Sequence, residues 1–258
     1  MSWGEVIWQN NILRNNVQIF TSNGTFTVPN QVETIYITAC GGGGGGGAAG
    51  ENHGGGGGGG GEMIVQKSFH VTPKQTIDIT IGKGGTGSNG RKNAANGTAT
   101  VIGNLVTLAG GQGAQDDGHS VIVNGGQGGT GAGNGGNGMI DSRTAANRKE
   151  ATNGENSKYY DFSSVYLKYI GDYKNSTGGV TVTDSTSNGY GGGGGGSIGK
   201  GGNGGTDVGN QENGVFGGGG GGAYSTDDIS YGNAKGANGG NGIVIIEWGG
   251  VLGEVRNG

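Results

Sequence analysis

Four uninterrupted runs of glycine, at residues 41–47, 54–61, 191–196 and 217–222, restrict the folds open to this chain more than any other feature. Each glycine in a helix interior costs about 1 kcal/mol relative to alanine, so long α-helices are excluded. Collagen is excluded as well, because there is no strict Gly-X-Y period and the chain has only 2 prolines. With 71 glycines in 258 residues, the chain is either disordered or ordered by something other than side-chain packing.

The distribution of glycine favours order. Residues 139–190 contain only five glycines, whereas glycine runs of similar length recur on both sides of this block. A polyproline II helix has three residues per turn and no internal hydrogen bonds, so such helices without side chains can bond to one another on all sides. Ordering costs about 1–2 kcal/mol per residue, which nearly complete backbone pairing at about 0.5–1.5 kcal/mol per bond must offset. We therefore predict a bundle of polyglycine II helices rather than flexible linkers.

Segments around the glycine runs alternate apolar and polar residues with a period of two, which is typical of β-strands. Residues 63–69 and 76–81 are predicted to form a hairpin around 72–74, and Gly103-Asn104 is predicted as the turn of another. The predicted strands are 25–28, 32–38, 63–69, 76–81, 99–102, 106–108 and 243–248. The predicted fold class is all-β and irregular: a small antiparallel β-sheet domain joined to a bundle of polyglycine II helices with surface loops.

Several motifs resemble the glycine-rich domains of bacteriophage tail proteins. The sequence Phe26-Thr27-Val28-Pro29, followed by residues 35–41, is similar to the opening of those domains. The paired glycine runs 41–47 and 54–61, the segments 71–77 and 81–85, and the closing segment 239–248 resemble the same family in order and spacing. The resemblance covers residues 20–108 and 190–248 and includes no catalytic residue.

The size of the chain, with glycine-rich motifs separated by variable segments, is also similar to the tail-fibre tip adhesins of T-even-like phages. That resemblance implies a polyglycine II sandwich whose loops bind a receptor on the host surface. It also implies a location in the virion, at the distal end of the tail or tail fibre, after synthesis in the host cytoplasm. The N-terminal region departs from that group, because it lacks their longer fibre-attachment domain.

The resemblance and the composition together predict four parts of the chain. These are a fibre-docking segment at 1–20, a β-rich anchor with the first polyglycine runs at 21–109, a polyglycine II bundle at 110–248, and a tail at 249–258. Within the bundle, residues 139–190 and 223–235 are predicted as receptor-binding loops, and 243–248 as a closing strand.

Aromatic residues concentrate in the two predicted loops. Tyrosine supplies a large, rigid and amphipathic contact area at low entropic cost, which suits recognition surfaces. Some of these rings are equally well explained as a small satellite core that holds a long insertion. The candidate receptor-binding residues are Tyr159, Tyr160, Phe162, Tyr166, Tyr169, Tyr173, Tyr224, Asp227, Asp228 and Tyr231. The expected partner is a bacterial outer-surface protein or glycan.

The first 20 residues carry apolar side chains outside any glycine run. Trp3, Ile7 and Trp8 are candidates for docking onto a tail-fibre shaft subunit, for which a trimer is the candidate assembly. Packing of this segment on its own domain is the alternative.

No residue pattern indicates catalysis. His53, His70 and His119 lie far apart, and the single Cys40 is predicted to be a small apolar residue at the end of a strand. The string Gly194 to Lys200 resembles a phosphate-binding loop, but Gly201 stands where a Ser or Thr is required. We therefore predict no enzymatic activity, no cofactor and no metal.

Bulk properties argue against two further classes of partner. The formal net charge of −4 and the lack of Arg-Gly-Gly motifs argue against nucleic acid. No stretch approaches the roughly 20 apolar residues of a membrane span, so membrane insertion is not expected. The alternatives to an adhesin are a structural virion protein, such as a tail-tip cap or spacer, and, more distantly, an ice-binding glycine-rich protein.

Overall fold

β-Strands and extended glycine runs make up the part of the chain that the computed structural model describes, and that part contains no helix. It comprises residues 16–48, 54–89, 92–116, 123–138, 151–158, 179, 192–205, 211–223 and 235–249. The strands are β1 (Val17–Phe20), β2 (Gly24–Thr27), β3 (Thr34–Cys40), β4 (Met63–His70), β5 (Thr76–Thr80), β6 (Thr100–Ile102), β7 (Val106–Leu108), β8 (Gln115–Asp116), β9 (Val123–Asn124) and β10 (Ile243–Trp248).

Two four-stranded antiparallel sheets form a sandwich. The first sheet has the order β1-β10-β3-β4 and the second has the order β2-β5-β6-β7. Alternate residues of both sheets, including Ile37, Ile77 and Ile246, are buried in one shared hydrophobic cluster. The remaining pair, β8 and β9, forms a short hairpin outside the sandwich.

The alternation in the sequence correctly predicts seven strands, but the hairpin of 63–69 with 76–81 is wrong. β4 pairs with β3 in the first sheet, whereas β5 pairs with β2 and β6 in the second. The connection crosses between the sheets: the Val71 N–H donates to Glu33 O, and the Lys74 N–H donates to Val28 O, both at 2.9 Å. This arrangement lets the apolar faces of both strands bury against each other across the sandwich, which pairing in one sheet would not achieve.

The other predicted hairpin is confirmed, and so is the position of Cys40. β6 and β7 pair around Gly103, whose φ of +47° is in the left-handed region that favours glycine. Cys40 is the last residue of β3 and is fully buried. β1 was not expected; it pairs along β10, with Val17 in register with Glu247.

The first glycine run, residues 41–47, continues directly from β3 and bonds to its neighbours with a period of three. The N–H groups of Gly41, Gly44 and Gly47 donate to carbonyl groups within residues 56–62, at 2.7–2.9 Å. In the same way, the second and fifth glycines of the run donate to residues 95–98, and the third and sixth donate to residues 237–240, at 2.8–3.0 Å. Its carbonyl groups accept hydrogen bonds, again with a period of three residues, from three further segments, which are 85–88, 111–114 and 220–223. The run is thus surrounded by six segments.

The other three uninterrupted runs share this arrangement; we call all four the central runs. Residues 54–61, 192–196 and 217–222 are each hydrogen-bonded through N–H and C=O groups to six neighbouring stretches. Their described glycines are all buried. A Cβ added to Gly58 would lie 2.2 Å from the oxygen of Gly44, so these interiors have no room for a side chain.

Segments that mix glycine with polar residues form the rim of this glycine bundle. In the rim segment that follows β5, every third residue, namely Lys83, Thr86 and Asn89, is exposed. Asparagines at the same spacing bond sideways: the N–H groups of Gly87 and Gly84 donate to the Oδ1 atoms of Asn238 and Asn241, at 3.0 and 2.9 Å.

Candidate functional site

The glycine bundle has two ends. At the junction end, the first central run leaves β3, and the second reaches β4 through Glu62. At the opposite end, which we call the far end, Ala48 forms a bridge with Ala223, and Asn89 forms a bridge with Lys235. The Ala48 N–H also donates to Ser88 Oγ at 2.6 Å.

Further hydrogen bonds bring other segments to the far end. The Gly55 N–H donates to Ala223 O at 2.7 Å, and the Gly192 N–H donates to Gly55 O at 2.9 Å. The Gly205 N–H donates to Gly222 O at 2.9 Å. The ends of segments that are far apart in the sequence therefore meet on one end of the scaffold.

This convergence fixes where the intervening stretches of sequence are attached. Both residues that flank each of six stretches lie at the far end; these stretches are 49–53, 90–91, 117–122, 139–150, 206–210 and 224–234. Residues 180–191 also lead to this end, at Gly192. The structure of these stretches lies outside the described residues.

Residues 159–178, which we call the tyrosine-rich block, are attached differently. The residue before this block, Lys158, donates its N–H to Gly131 O at 2.8 Å. The adjacent Thr130 accepts at 3.0 Å from the N–H of Met63, the first residue of β4. Lys158 therefore lies at the junction end. Gly179 lies halfway along the bundle, where its N–H donates to Gly194 O at 2.8 Å. Within 139–190, the residues attached at the far end are those that precede Lys158 and those that follow Gly179.

All the predicted site residues lie outside the described residues, so their roles remain predictions. Tyr224 directly follows Ala223 at the far end, and Tyr159 directly follows Lys158 at the junction end. The others are Tyr160, Phe162, Tyr166, Tyr169, Tyr173, Asp227, Asp228, Tyr231, Trp3, Ile7 and Trp8.

The described part of the far end carries mainly hydroxyl, amide and ammonium groups. Asn89, Thr152 and Lys235 are exposed there, and the Gln211 side-chain amide donates to Lys235 O. Among the described residues, no three His, Cys, Asp or Glu side chains are grouped as a metal site would require. These groups suit non-covalent recognition of polar surfaces.

Cys40 is shielded from chemistry by its burial. Desolvation raises the pKa of its thiol to about 11, although a backbone hydrogen bond at Ile243 and a side-chain hydrogen bond at Ser197 act in the opposite direction. The thiolate is the reactive form of cysteine, so a thiol with this pKa is inert near neutral pH.

Two structural roles were not predicted from the sequence. The repeated Asn-Gly-Gly-Asn-Gly of 134–138 and 238–242 places asparagine oxygens at a three-residue spacing, where they accept from the N–H groups of the next segment. That spacing was a usable signal. Glu247 is 1% exposed although its side chain ends in a carboxyl group, and no sequence pattern marks it.

Comparison with known proteins agrees with the glycine-based architecture. Residues 21–249 match the model of the glycine-rich domain family, so the chain belongs to that family. No curated protein is significantly similar to this sequence. In the described residues, no helix is long and apolar enough to cross a membrane.

Proposed function

We propose that the glycine segments are polyglycine II helices packed side by side. The three-residue period of the hydrogen bonds supports this conformation, because a polyproline II helix turns once in three residues. The six bonded neighbours of each central run support it too, since N–H and C=O groups that rotate by one third of a turn per residue reach neighbours in all directions.

Amide hydrogen exchange tests this conformation. In a packed bundle the glycine N–H groups of all four central runs exchange slowly and are released together on unfolding. A flexible polyglycine linker would exchange at the rate of an unfolded peptide, and that result would contradict the proposal. A single cooperative melt followed by far-UV circular dichroism is the second expected result.

We further propose that the protein is a phage tail-fibre tip adhesin, which recognises a bacterial surface protein or glycan. The observation that carries this proposal is the attachment of six separate stretches to the far end of one scaffold. Loops on rigid scaffolds are common sites of recognition. Because the central runs have no side chains, loop sequences can change without any need to repack side chains in these runs.

In this proposal the far end faces the cell and the junction end faces the virion. Tyrosine rings and neighbouring Asp, Asn and Lys groups of the loops contact the receptor without covalent chemistry. Residues 224–234 are the first choice for contact, because they include Tyr224, Asp227, Asp228 and Tyr231 and are flanked on both sides by far-end residues. The tyrosine-rich block is the second choice. The shaft subunit of the fibre is the proposed partner at the sandwich.

The test is binding of the labelled protein to a panel of bacterial strains, with intact, protease-treated and periodate-treated cells compared. Replacement of 225–233 by a Gly-Ser segment of equal length is expected to lower binding at least tenfold, while amide exchange of the central runs stays unchanged. Replacement of 160–176 tests the second choice in the same way. Thr107→Ala and Lys67→Ala, at exposed positions of the sandwich, are the matched controls.

Each alternative corresponds to a different result. If binding to a susceptible strain survives replacement of every far-end stretch and of 160–176, the protein is not an adhesin that works through these loops, and a structural virion role is favoured. If binding is lost only on protease-treated cells the receptor is a protein, and loss on periodate-treated cells indicates a glycan. Thermal hysteresis of an ice-water mixture would favour the ice-binding alternative.

A further inference from the structure

The rim of the glycine bundle is rich in the dipeptide Asn-Gly, in which asparagine is prone to deamidation. In that reaction the backbone nitrogen of the following residue loses its proton and attacks the side-chain Cγ. The new C–N bond closes a five-membered succinimide, and the side-chain nitrogen leaves as ammonia. Water then opens the ring at either carbonyl and gives aspartate or isoaspartate. Glycine in the second position favours ring closure, because it has no side chain to hinder the attack.

Both groups that must react are hydrogen-bonded to another segment in Asn241-Gly242, the dipeptide that leads into β10. The Gly242 N–H donates to Gly82 O at 2.8 Å, so a neighbouring segment holds its proton. Asn241 Oδ1 accepts from the Gly84 N–H at 2.9 Å, which holds the side-chain amide against that same segment. Closure of the succinimide therefore requires that both hydrogen bonds break.

Four other dipeptides of the rim have the same two kinds of hydrogen bond. In each of them the glycine N–H donates to a backbone oxygen of a neighbouring stretch at 2.9 Å. The asparagine Oδ1 accepts from a backbone N–H at 2.8–3.0 Å. All five asparagines are exposed, so water reaches them and burial does not protect them. The four dipeptides are 96–97, 134–135, 213–214 and 238–239.

We propose that these rim asparagines are latent deamidation sites, which are unreactive while their segment is docked and are modified once it opens. Local opening exposes the backbone groups of a folded protein for a small fraction of the time. During that fraction the two hydrogen bonds are absent and the succinimide closes at the rate typical of an unfolded chain. Modification of the folded protein therefore reports how often each rim segment opens. The inference concerns the rim and is independent of the proposed adhesin function.

The two products differ in whether the segment can dock again. Aspartate leaves the backbone unchanged and keeps an acceptor oxygen for the neighbouring N–H group. Isoaspartate carries the chain through the former side chain, which adds one carbon, or about 1.5 Å, to the backbone. At Asn241 the added carbon would lie just before Ile243, whose register with Cys40 begins the pairing of β10 with β3. Isoaspartate at this position therefore prevents the opened segment from docking again.

Deamidation and amide exchange, measured on the full-length protein in one buffer at pH 8, test the proposal together. Peptide mapping by mass spectrometry gives the deamidation rate at each of the five asparagines, and synthetic peptides of the same local sequence give the reference rates. The folded protein should react at least about tenfold more slowly than the peptides. The factor at each asparagine should match, within a few-fold, the exchange protection of the following glycine N–H. Deamidation at peptide rates in a protein whose glycine amides stay protected would overturn the proposal.

Gly87→Ala tests whether opening of one segment is sufficient. The new Cβ would overlap Gly236 O and displace the segment that carries Asn238 and Asn241. Deamidation at these two asparagines should rise at least about tenfold. Asn134, which bonds to residues 126–128 in another part of the rim, should keep its native rate. An unchanged rate at Asn238 would contradict the proposal.

The control for this variant is Thr86→Ser, at an exposed position of the same segment, which should change no deamidation rate. If Gly87→Ala unfolds the whole bundle, all five asparagines should react at the rates of the peptides. Any of them that stayed slow in the unfolded chain would show that the rim hydrogen bonds are not what protects it.

The fate of the two products is tested by refolding. The protein is partly deamidated in urea and refolded, and size-exclusion chromatography separates folded from unfolded chains. Aspartate at position 241 should enter the folded fraction, whereas isoaspartate should be depleted from it at least about tenfold. Asn241→Asp is the matched variant, and it should fold with the Gly84 amide still protected. Equal amounts of both products in the folded fraction would show that isoaspartate docks, and would overturn this part of the proposal.

Discussion

The sandwich and the glycine bundle both have buried interiors, but the groups that they bury differ. The largest fully buried side chains, such as Phe26, Ile77 and Ile246, all belong to strands of the sandwich. Residues 41–47 of the bundle are buried to the same degree and contribute only peptide groups. One molecule therefore contains a core made of side chains and a second core made of backbone.

The two cores differ in what they tolerate. Burial of a large aliphatic or aromatic side chain contributes about 1.5–3 kcal/mol, so the sandwich loses stability when atoms are removed. In the bundle, stability comes from many hydrogen bonds of about 0.5–1.5 kcal/mol each, whose geometry requires backbones in contact. The bundle should therefore lose stability when atoms are added.

The largest expected effect is that of one methyl group in a central run. In Gly58→Ala the new Cβ would lie 2.2 Å from Gly44 O and would separate two central runs. This movement would break the bonds from the Gly44 N–H to Gly59 O and from the Gly58 N–H to Gly220 O, both 2.8 Å. We expect a loss of more than about 4 kcal/mol, measured by urea unfolding.

Ala109→Ser is the matched control, because it adds one heavy atom at an exposed position of a rim segment. Its effect should stay within about 0.5 kcal/mol. If Gly58→Ala were as mild as this control, the central runs would not be packed backbone to backbone.

The next largest effect is expected from truncation in the sandwich. Ile77 is 2% exposed between the two sheets, and Ile77→Ala should cost about 2–5 kcal/mol through lost burial and a cavity. Ile77→Val, which removes one methylene group, should cost only about 0.5–1.5 kcal/mol. Thermal and urea unfolding measure both. A near-neutral Ile77→Ala would show that the side-chain core does not hold the fold together and would remove the contrast with the bundle.

The sequence predicts the side-chain core better than the arrangement of the bundle. Alternation around Ile77 and Ile79 marks β5, because one face of a strand is buried and the other is solvated. The same alternation does not show which strands pair with each other. The sequence therefore did not predict that the connection 71–75 crosses from one sheet to the other. β1 was not predicted for a related reason: among the described residues its strand partner is β10, more than 200 residues further along the sequence.

Glycine runs predict that a backbone core exists but not which runs are neighbours. A central run has no side chains, so nothing in its own sequence distinguishes one bonded segment from another. The strands that lead into the runs and the rim asparagines, such as Asn238, hold the register instead. The sequence predicts that loops lie at one end of the bundle, but not which stretches are attached at the far end, because that depends on the direction of every run.

A pH-dependent effect of intermediate size is expected where the two cores meet, at Cys40. Burial raises the pKa of this thiol from 9.0 to about 11, so the unfolded chain loses its proton before the folded chain does. The contribution of the neutral thiol to stability is complete below pH 9 and is lost as the pH rises to 11. The two-unit difference corresponds to about 2–3 kcal/mol.

The measurement is the free energy of unfolding from pH 8 to 11.5 for the native sequence and for Cys40→Ala. Tyrosine and lysine titrate in the same range and affect both proteins equally, so only the difference in slope reports on Cys40. Equal slopes would mean that water reaches the thiol and that the junction of the two cores is open.

The smallest expected effect concerns the side chains that help hold the backbone core in register. The Gly87 N–H donates to Asn238 Oδ1 at 3.0 Å at the partly buried rim, so Asn238→Ala should cost about 1 kcal/mol and accelerate exchange of the Gly87 amide about tenfold. The Gly84 N–H, which donates to Asn241, is the internal control and should keep its exchange rate. Asn238→Asp retains an acceptor oxygen and should restore most of the protection at Gly87. Equal acceleration at both glycines would instead mean that the rim opens as a unit, and that the asparagine amides do not fix the register one residue at a time.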